Sequence, residues 1–218
     1  MQSIKNLILW HRGSTMIELM AVLAIMGLGI AALLQTIVGW LYYAKDTENN
    51  IKAINLAREG IEWMVNIRDT NWLRFSSDKA NCWKVDWYVA ACIGNTNDWN
   101  NGPGPTHTIL SGSYVIFSQN GAWFVSGATV DPSWDIYKNN FTVGIDSAGF
   151  FTQTGIVNTP CSSFLQASCK TIFTREIQIG YIATQTGTMQ VTSIVKWLDR
   201  RPQSVVIDTV LTNWKSNF

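Results

Sequence analysis

Gly13-Ser14-Thr15-Met16-Ile17-Glu18-Leu19-Met20 opens a stretch that stays apolar as far as Tyr43. The residues before it form a short leader with Lys5 and Arg12 as its charges and no acid. Between Met16 and Ala44 the only charged side chain is Glu18. Coiled as a helix, Met16 to Tyr43 spans roughly 42 Å at 1.5 Å per residue, enough to cross a bilayer. Its residues are apolar all round, as a membrane or bundle-core helix requires. A carboxylate inside such a segment costs about 2.5–3.5 kcal/mol on insertion scales, so it needs a partner. A cut after Gly13 would supply one, because the freed amine of Ser14 is a cation at the head of the same helix. An ordinary secretory signal has a shorter apolar core with its cleavage site after it, and a plain anchor has no use for Glu18.

The Gly13–Leu19 segment resembles the processing site of type IV prepilins and of the related pseudopilins of type II secretion. Gly13 matches the residue before the cut, and Thr15-Met16-Ile17-Glu18-Leu19 matches the usual Thr-Leu-Ile-Glu-Leu pattern. Ser14 departs from it, since phenylalanine is most common there. The resemblance implies that a prepilin peptidase cuts between Gly13 and Ser14 and methylates the Ser14 amine, and that Glu18 serves assembly. The positive leader before an apolar helix predicts that the leader stays cytoplasmic and that the rest lies outside.

The helix is expected from about Ser14 to about Ile67. Gly27 and Gly29 mark either a weak point or a site of close helix packing. After Lys45, Ile51, Ile54, Ala57, Ile61, Met64 and Val65 recur at helical spacing, with Arg58, Glu59, Glu62 and Asn66 between them. That pattern predicts a helix lying across a sheet with the apolar stripe as core. The expected organisation is a leader at 1–13, a transmembrane or filament-core helix at 14–44, and an extracytoplasmic domain at 45–218. Within that domain we expect an amphipathic helix at about 45–67, a variable loop region at about 69–112 and a sheet at about 113–214.

The 218 residues suit one domain on a membrane stalk. The chain carries 16 basic and 15 acidic residues; the leader holds two of the bases, so 14 remain against 15. That balance gives no general reason to expect nucleic-acid binding. The four cysteines form two close pairs in sequence, Cys82 with Cys92 and Cys161 with Cys169. Outside the cytoplasm an even number reads as disulfides. Three connectivities are open, and local pairing is expected because each pair closes a short polar segment. Their spacing is not Cys-x-x-Cys and the only histidine after the leader is His107, so zinc is not expected. The segment Gly94–Pro105 reads as a surface loop; its oxygen ligands do not follow the spacing of an EF-hand. No cofactor is implied. Most of the 11 tryptophans are expected in core and sheet packing, with Trp99 an example of an exposed one.

After Gly112 the periodicity becomes two. Tyr114–Ser118 and Ala122–Ser126 flank Gln119-Asn120-Gly121, and Phe141–Ile145 and Phe150–Gln153 flank Asp146–Gly149. Phe173, Ile177, Ile179 and Tyr181 alternate with Thr174, Glu176 and Gln178; Met189, Val191, Val195 and Trp197 alternate with polar residues. Asp199–Pro202 then turns into Val205, Ile207 and Leu211. The expected fold class is α+β: a long amino-terminal helix packed on a carboxy-terminal antiparallel sheet with one buried face. Phe173-x-Arg175-x-Ile177, Val195-x-Trp197 and Val206-x-x-x-Thr209-x-Leu211-x-Asn213-Trp214 resemble the last strands of certain minor pilins and pseudopilins, which favours a minor subunit.

There is no His-Glu-x-x-His, no Gly-x-Ser-x-Gly and no phosphate loop, and His107, Asp131, Asp135 and Asp146 suggest no catalytic constellation. The expected role is structural and non-enzymatic. The resemblance implies prepilin peptidase, other pilin subunits, an inner-membrane assembly platform and, before assembly, the lipid bilayer as partners. A type II secretion pseudopilin, a competence-pilus component contacting DNA and a membrane-anchored surface enzyme or receptor remain alternatives. For DNA the only paired bases, Arg200 and Arg201, are weak support.

Overall fold

The computed structural model describes residues 11–74, 79–86, 108–119, 122–156, 158–162, 169–182 and 187–214. Helix α1 runs from His11 to Arg74, followed by the short α2 (Lys79–Cys82). Then come strands β1 (Gly112–Gln119) and β2 (Ala122–Gly127), helix α3 (Trp134–Phe141), and strands β3 (Thr142–Ile145), β4 (Phe151–Thr152), β5 (Cys169–Gly180), β6 (Thr188–Leu198) and β7 (Pro202–Thr212). The chain is α+β, with the long helix packed on an antiparallel sheet of seven strands. Two compact units divide it, one up to Asn50 and one from Ile51 onward.

The helix extends further than its sequence suggests at both ends. It begins within the expected leader and continues to Arg74, about seven residues past its expected end at Ile67 and into the region expected as loop from about residue 69. Its inward face in the second unit is also rotated. Ala53, Leu56, Ala57, Gly60, Met64 and Ile67 are buried, whereas Ile51 and Ile54 are exposed and Ile61 and Val65 half-buried. The reason is Gly60. A Cβ built there would lie 2.7 Å from Ser193 Oγ and 2.8 Å from Ile177 Cδ1. The backbone of α1 therefore rests directly on β5 and β6, and the small residues in register with Gly60 face the sheet. Asn71 anchors the far end, donating to the carbonyls of Trp83 (3.2 Å) and Val85 (2.8 Å). Trp63 stacks on Trp123 of β2.

The sheet is a fork with β5 as its stem. One edge of β5 pairs along its length with β6, which pairs with β7. The other edge is shared. Its carboxy-terminal half pairs with β1 (Ser113 opposite Gln178) and its amino-terminal half with β3 (Thr142 opposite Thr174). On the face away from α1, helix α3 packs Tyr137 and Phe141 against Val115. Residues 173 to 177 are consequently buried on both faces, and the expected single buried face of β5 does not hold there. Both hairpins form close to where the period-two pattern puts them, at β1–β2 and β3–β4. Helix α3 replaces the start of the expected Phe141–Ile145 strand.

Candidate functional site

In the first unit, α1 is bare from Met16 to Val38 and again from Trp40 to Glu48. Met16, Leu28 and Tyr43 are 72%, 74% and 77% exposed, and large apolar residues point outward on every side. Gly13 and Ser14 lie within the helical backbone. Glu18 follows Ser14 at the i, i+4 spacing that puts two residues on one helix face, and its side chain is exposed. Two hydroxyls in this unit bond to the helix itself: Thr36 donates to Ala32 O and Thr47 to Tyr43 O, both at 2.8 Å. Such back-bonding leaves the segment compatible with hydrocarbon, where every polar group must find an internal partner. Nothing lies within 4 Å of a Cβ built on Gly27, Gly29 or Gly39, so no contact within the chain requires glycine at those positions. This helix is a candidate single membrane span.

At the fork of the second unit, charge is buried on both sides of the sheet. Arg175 is fully buried on the α1 side. Its Nη1 donates to Glu59 Oε2 at 3.1 Å and to Leu56 O at 3.4 Å, and its Nε donates to Gln153 Oε1 at 3.1 Å. Burial pulls the guanidinium below its ordinary pKa, and Glu59 opposes that shift. Gln153 fills the gap between the two prongs. Its amide donates to Arg175 O (2.6 Å) and Phe141 O (3.1 Å), and its carbonyl also accepts from Ile116 N (3.2 Å). One side chain thus replaces the ladder bonds that β5 lacks where β1 and β3 diverge. On the opposite face, the buried Glu176 accepts from Ser113 Oγ and Tyr137 Oη, both at 2.7 Å, and from Gln178 Nε2 at 2.9 Å. Desolvation, then the hydrogen bond to Glu176, raises the Tyr137 pKa. Lys196 Nζ sits 4.0 Å from the centre of the Tyr137 ring.

Cys161 and Cys169 form a disulfide with Cα atoms 4.9 Å apart, which rules out both crossed connectivities. Cys82 is buried and disulfide-bonded. Cys92, Trp99, His107 and the loop Gly94–Pro105 lie outside the described residues. Replacing Cys161 and Cys169 by serine should lower the stability of the domain by about 2 kcal/mol, the low end for a short loop. The denaturant midpoint of the oxidised protein checks this; an unchanged midpoint would contradict it.

The three carboxylates that the sequence raised serve local structure. Asp131 accepts from Ser133 N, Asp146 accepts from Ala148 N and Phe150 N, and Asp135 lies 3.5 Å from Lys138. Among the described residues no group of three or more His, Cys, Asp or Glu could hold a metal ion. No family model, curated protein or solved structure matches this chain.

Sequence patterning did not find the fork cluster, because it places Glu59 and Glu176 on wet faces. The available signal was the Arg175-Glu176 pair of opposite charges inside an otherwise apolar, β-branched strand. Such a pair places one charge on each face of a strand.

Proposed function

We propose that this chain is a minor subunit of a type IV pilus-like filament, processed by a prepilin peptidase and assembled through its amino-terminal helix. The observation that carries this reading is the bare apolar part of α1, with Glu18 as its only acid between Met16 and Ala44, one helical turn beyond Ser14. Apolar surface on this scale, exposed on all sides, calls for lipid or for other helices. The Gly13–Leu19 motif supplies the reason to choose a subunit that uses both in turn.

In this reading the leader orients insertion, with its positive residues on the cytoplasmic side. Cleavage then converts the Ser14 nitrogen from a neutral amide into an amine. Apolar helices of successive subunits gather into a bundle, and the Glu18 carboxylate of one subunit neutralises the Ser14 amine of its neighbour. The domain from Ile51 onward forms the coat, with the α1 stripe at Ala53, Leu56 and Ala57 holding it to the helix. The protein itself transforms no substrate.

The test is amino-terminal mass spectrometry of the mature protein. It should begin at Ser14, and Gly13→Leu should leave the uncut precursor in the membrane. A mature chain beginning at Met1, or after Ala32 as a secretory signal would leave it, defeats the reading. The first of those results would favour a surface enzyme or receptor on a plain anchor.

A further inference from the structure

We infer that Trp40, Tyr42 and Tyr43 form a girdle in the outer headgroup layer of a phospholipid bilayer and set the depth of α1 so that Glu18 stays in the inner headgroup layer. This rests on the reading of α1 as a membrane span, and not on the assembly that follows.

Three observations carry it. The first is position. The rings lie at the end of the apolar stretch, immediately before the charged Lys45, Asp46 and Glu48, of which Lys45 and Glu48 pair at 3.2 Å. Trp and Tyr concentrate at that boundary in membranes because a flat apolar ring with one polar atom suits neither pure hydrocarbon nor bulk water. The second is distribution. At about 100° per residue, Tyr42 lies about 200° and Tyr43 about 300° around the axis from Trp40, so the three rings fan over about 160° of the circumference. Trp40 and Tyr43 are 74% and 77% exposed and Tyr42 49%, so the rings are open to surrounding lipid.

The third is length. The apolar stretch of roughly 42 Å exceeds a hydrocarbon core of about 30 Å, so its residues cannot all be immersed without tilt. Counting back from Trp40, about 30 Å is used up near Met20. Glu18 then falls just outside the hydrocarbon, where water and headgroups solvate it. Gly13 lies further out still, open to a protease. The girdle therefore removes the difficulty of a carboxylate with no partner before assembly. Glu18 is solvated in the resting membrane and needs its cation only when the helix is drawn into a bundle.

Immersion depth measures this directly. The full-length protein is reconstituted in vesicles of phosphatidylethanolamine and phosphatidylglycerol. A nitroxide amino acid replaces Leu19, Ile30, Val38 and Glu48 in turn. Its collisions with oxygen and with a water-soluble nickel complex report depth. Ile30 should be deepest, Leu19 and Val38 shallower, and Glu48 in water. W40A/Y43A should move that profile along the helix by about one turn, or about 5 Å. Immersed labels with the maximum displaced from Ile30, or a profile that W40A/Y43A leaves unchanged, overturn the girdle while sparing the span. Rings that contact another protein instead of lipid give that unchanged profile. No immersion at any position overturns the span itself, and the girdle with it.

Discussion

Arg175→Ala is expected to destabilise the domain by about 3–5 kcal/mol, a large share of the total stability of about 5–15 kcal/mol of an ordinary domain. Three losses act together. Glu59 loses its cation, Leu56 O and Gln153 Oε1 each lose a donor, and the volume of the largest fully buried side chain is left empty beneath Gly60. The methionine variant separates charge from volume. Buried ion pairs often give way to apolar residues of similar size at little cost. That holds when both partners are replaced. Arg175→Met refills the volume but leaves Glu59 without its cation, so it should recover only part of the loss. Glu59→Gln, which leaves the fully buried Arg175 a neutral acceptor in place of its anion, should cost about 3 kcal/mol. Urea titrations of the detergent-solubilised chain, followed by tryptophan fluorescence, give all three values. If Arg175→Ala unfolds at the wild-type midpoint, the fork does not depend on its buried charge.

Glu18→Ala is expected to leave processing and folding intact while lowering incorporation into filaments by more than about ten-fold. The argument is electrostatic and concerns the bundle rather than the resting membrane. No Lys or Arg lies between Gly13 and Lys45. The Ser14 amine of a neighbour is therefore the cation available to Glu18 at that depth. An unpaired charge in a helix bundle costs about 3–5 kcal/mol, and the pairing also rewards the correct axial register. Quantifying the chain in sheared filaments against its amount in membranes checks the expectation. A cross-link between position 14 of one subunit and position 18 of the next should form in the native protein. Incorporation at wild-type levels would show that Glu18 stays at the membrane surface throughout.

The elements that were legible in the sequence are those whose periodicity is set by one partner. The apolar run after Gly13, the β1–β2 hairpin around Asn120-Gly121 and the β6–β7 meander all follow from alternation or helical spacing alone. What sequence could not show is where two partners compete for one element. Thr174 and Glu176 look exposed because polar residues alternate with apolar ones, yet α3 covers them. Helix α3 itself escaped notice because its eight residues carry three aromatics and a β-branched isoleucine, which read as strand. The orientation of α1 depended on size, not on hydrophobicity. Ile51 and Ile54 are more apolar than Ala53 and Gly60, but only the small pair allows the backbone to reach β5. At the candidate site, Glu18 and its apolar surroundings were plain from composition, whereas Arg175 and Gln153 needed the fork to be seen.

The fork also fixes an order of events as the chain folds. Strand β1 pairs with β2 and β3 with β4, but the bonds that join these two hairpins run through a stem that begins only at Cys169, beyond three quarters of the chain. β5, β6 and β7 need only each other and short connections, so the stem assembles locally, as the β1–β2 hairpin does. A chain delivered from its amino terminus must hold β1 to β4 without a template until the last fifty residues arrive. Joining of the sheet therefore waits for its carboxy-terminal strands. A truncation near Gly180 should strand the whole domain, although β1 to β4, α3 and all of β5 would already be present.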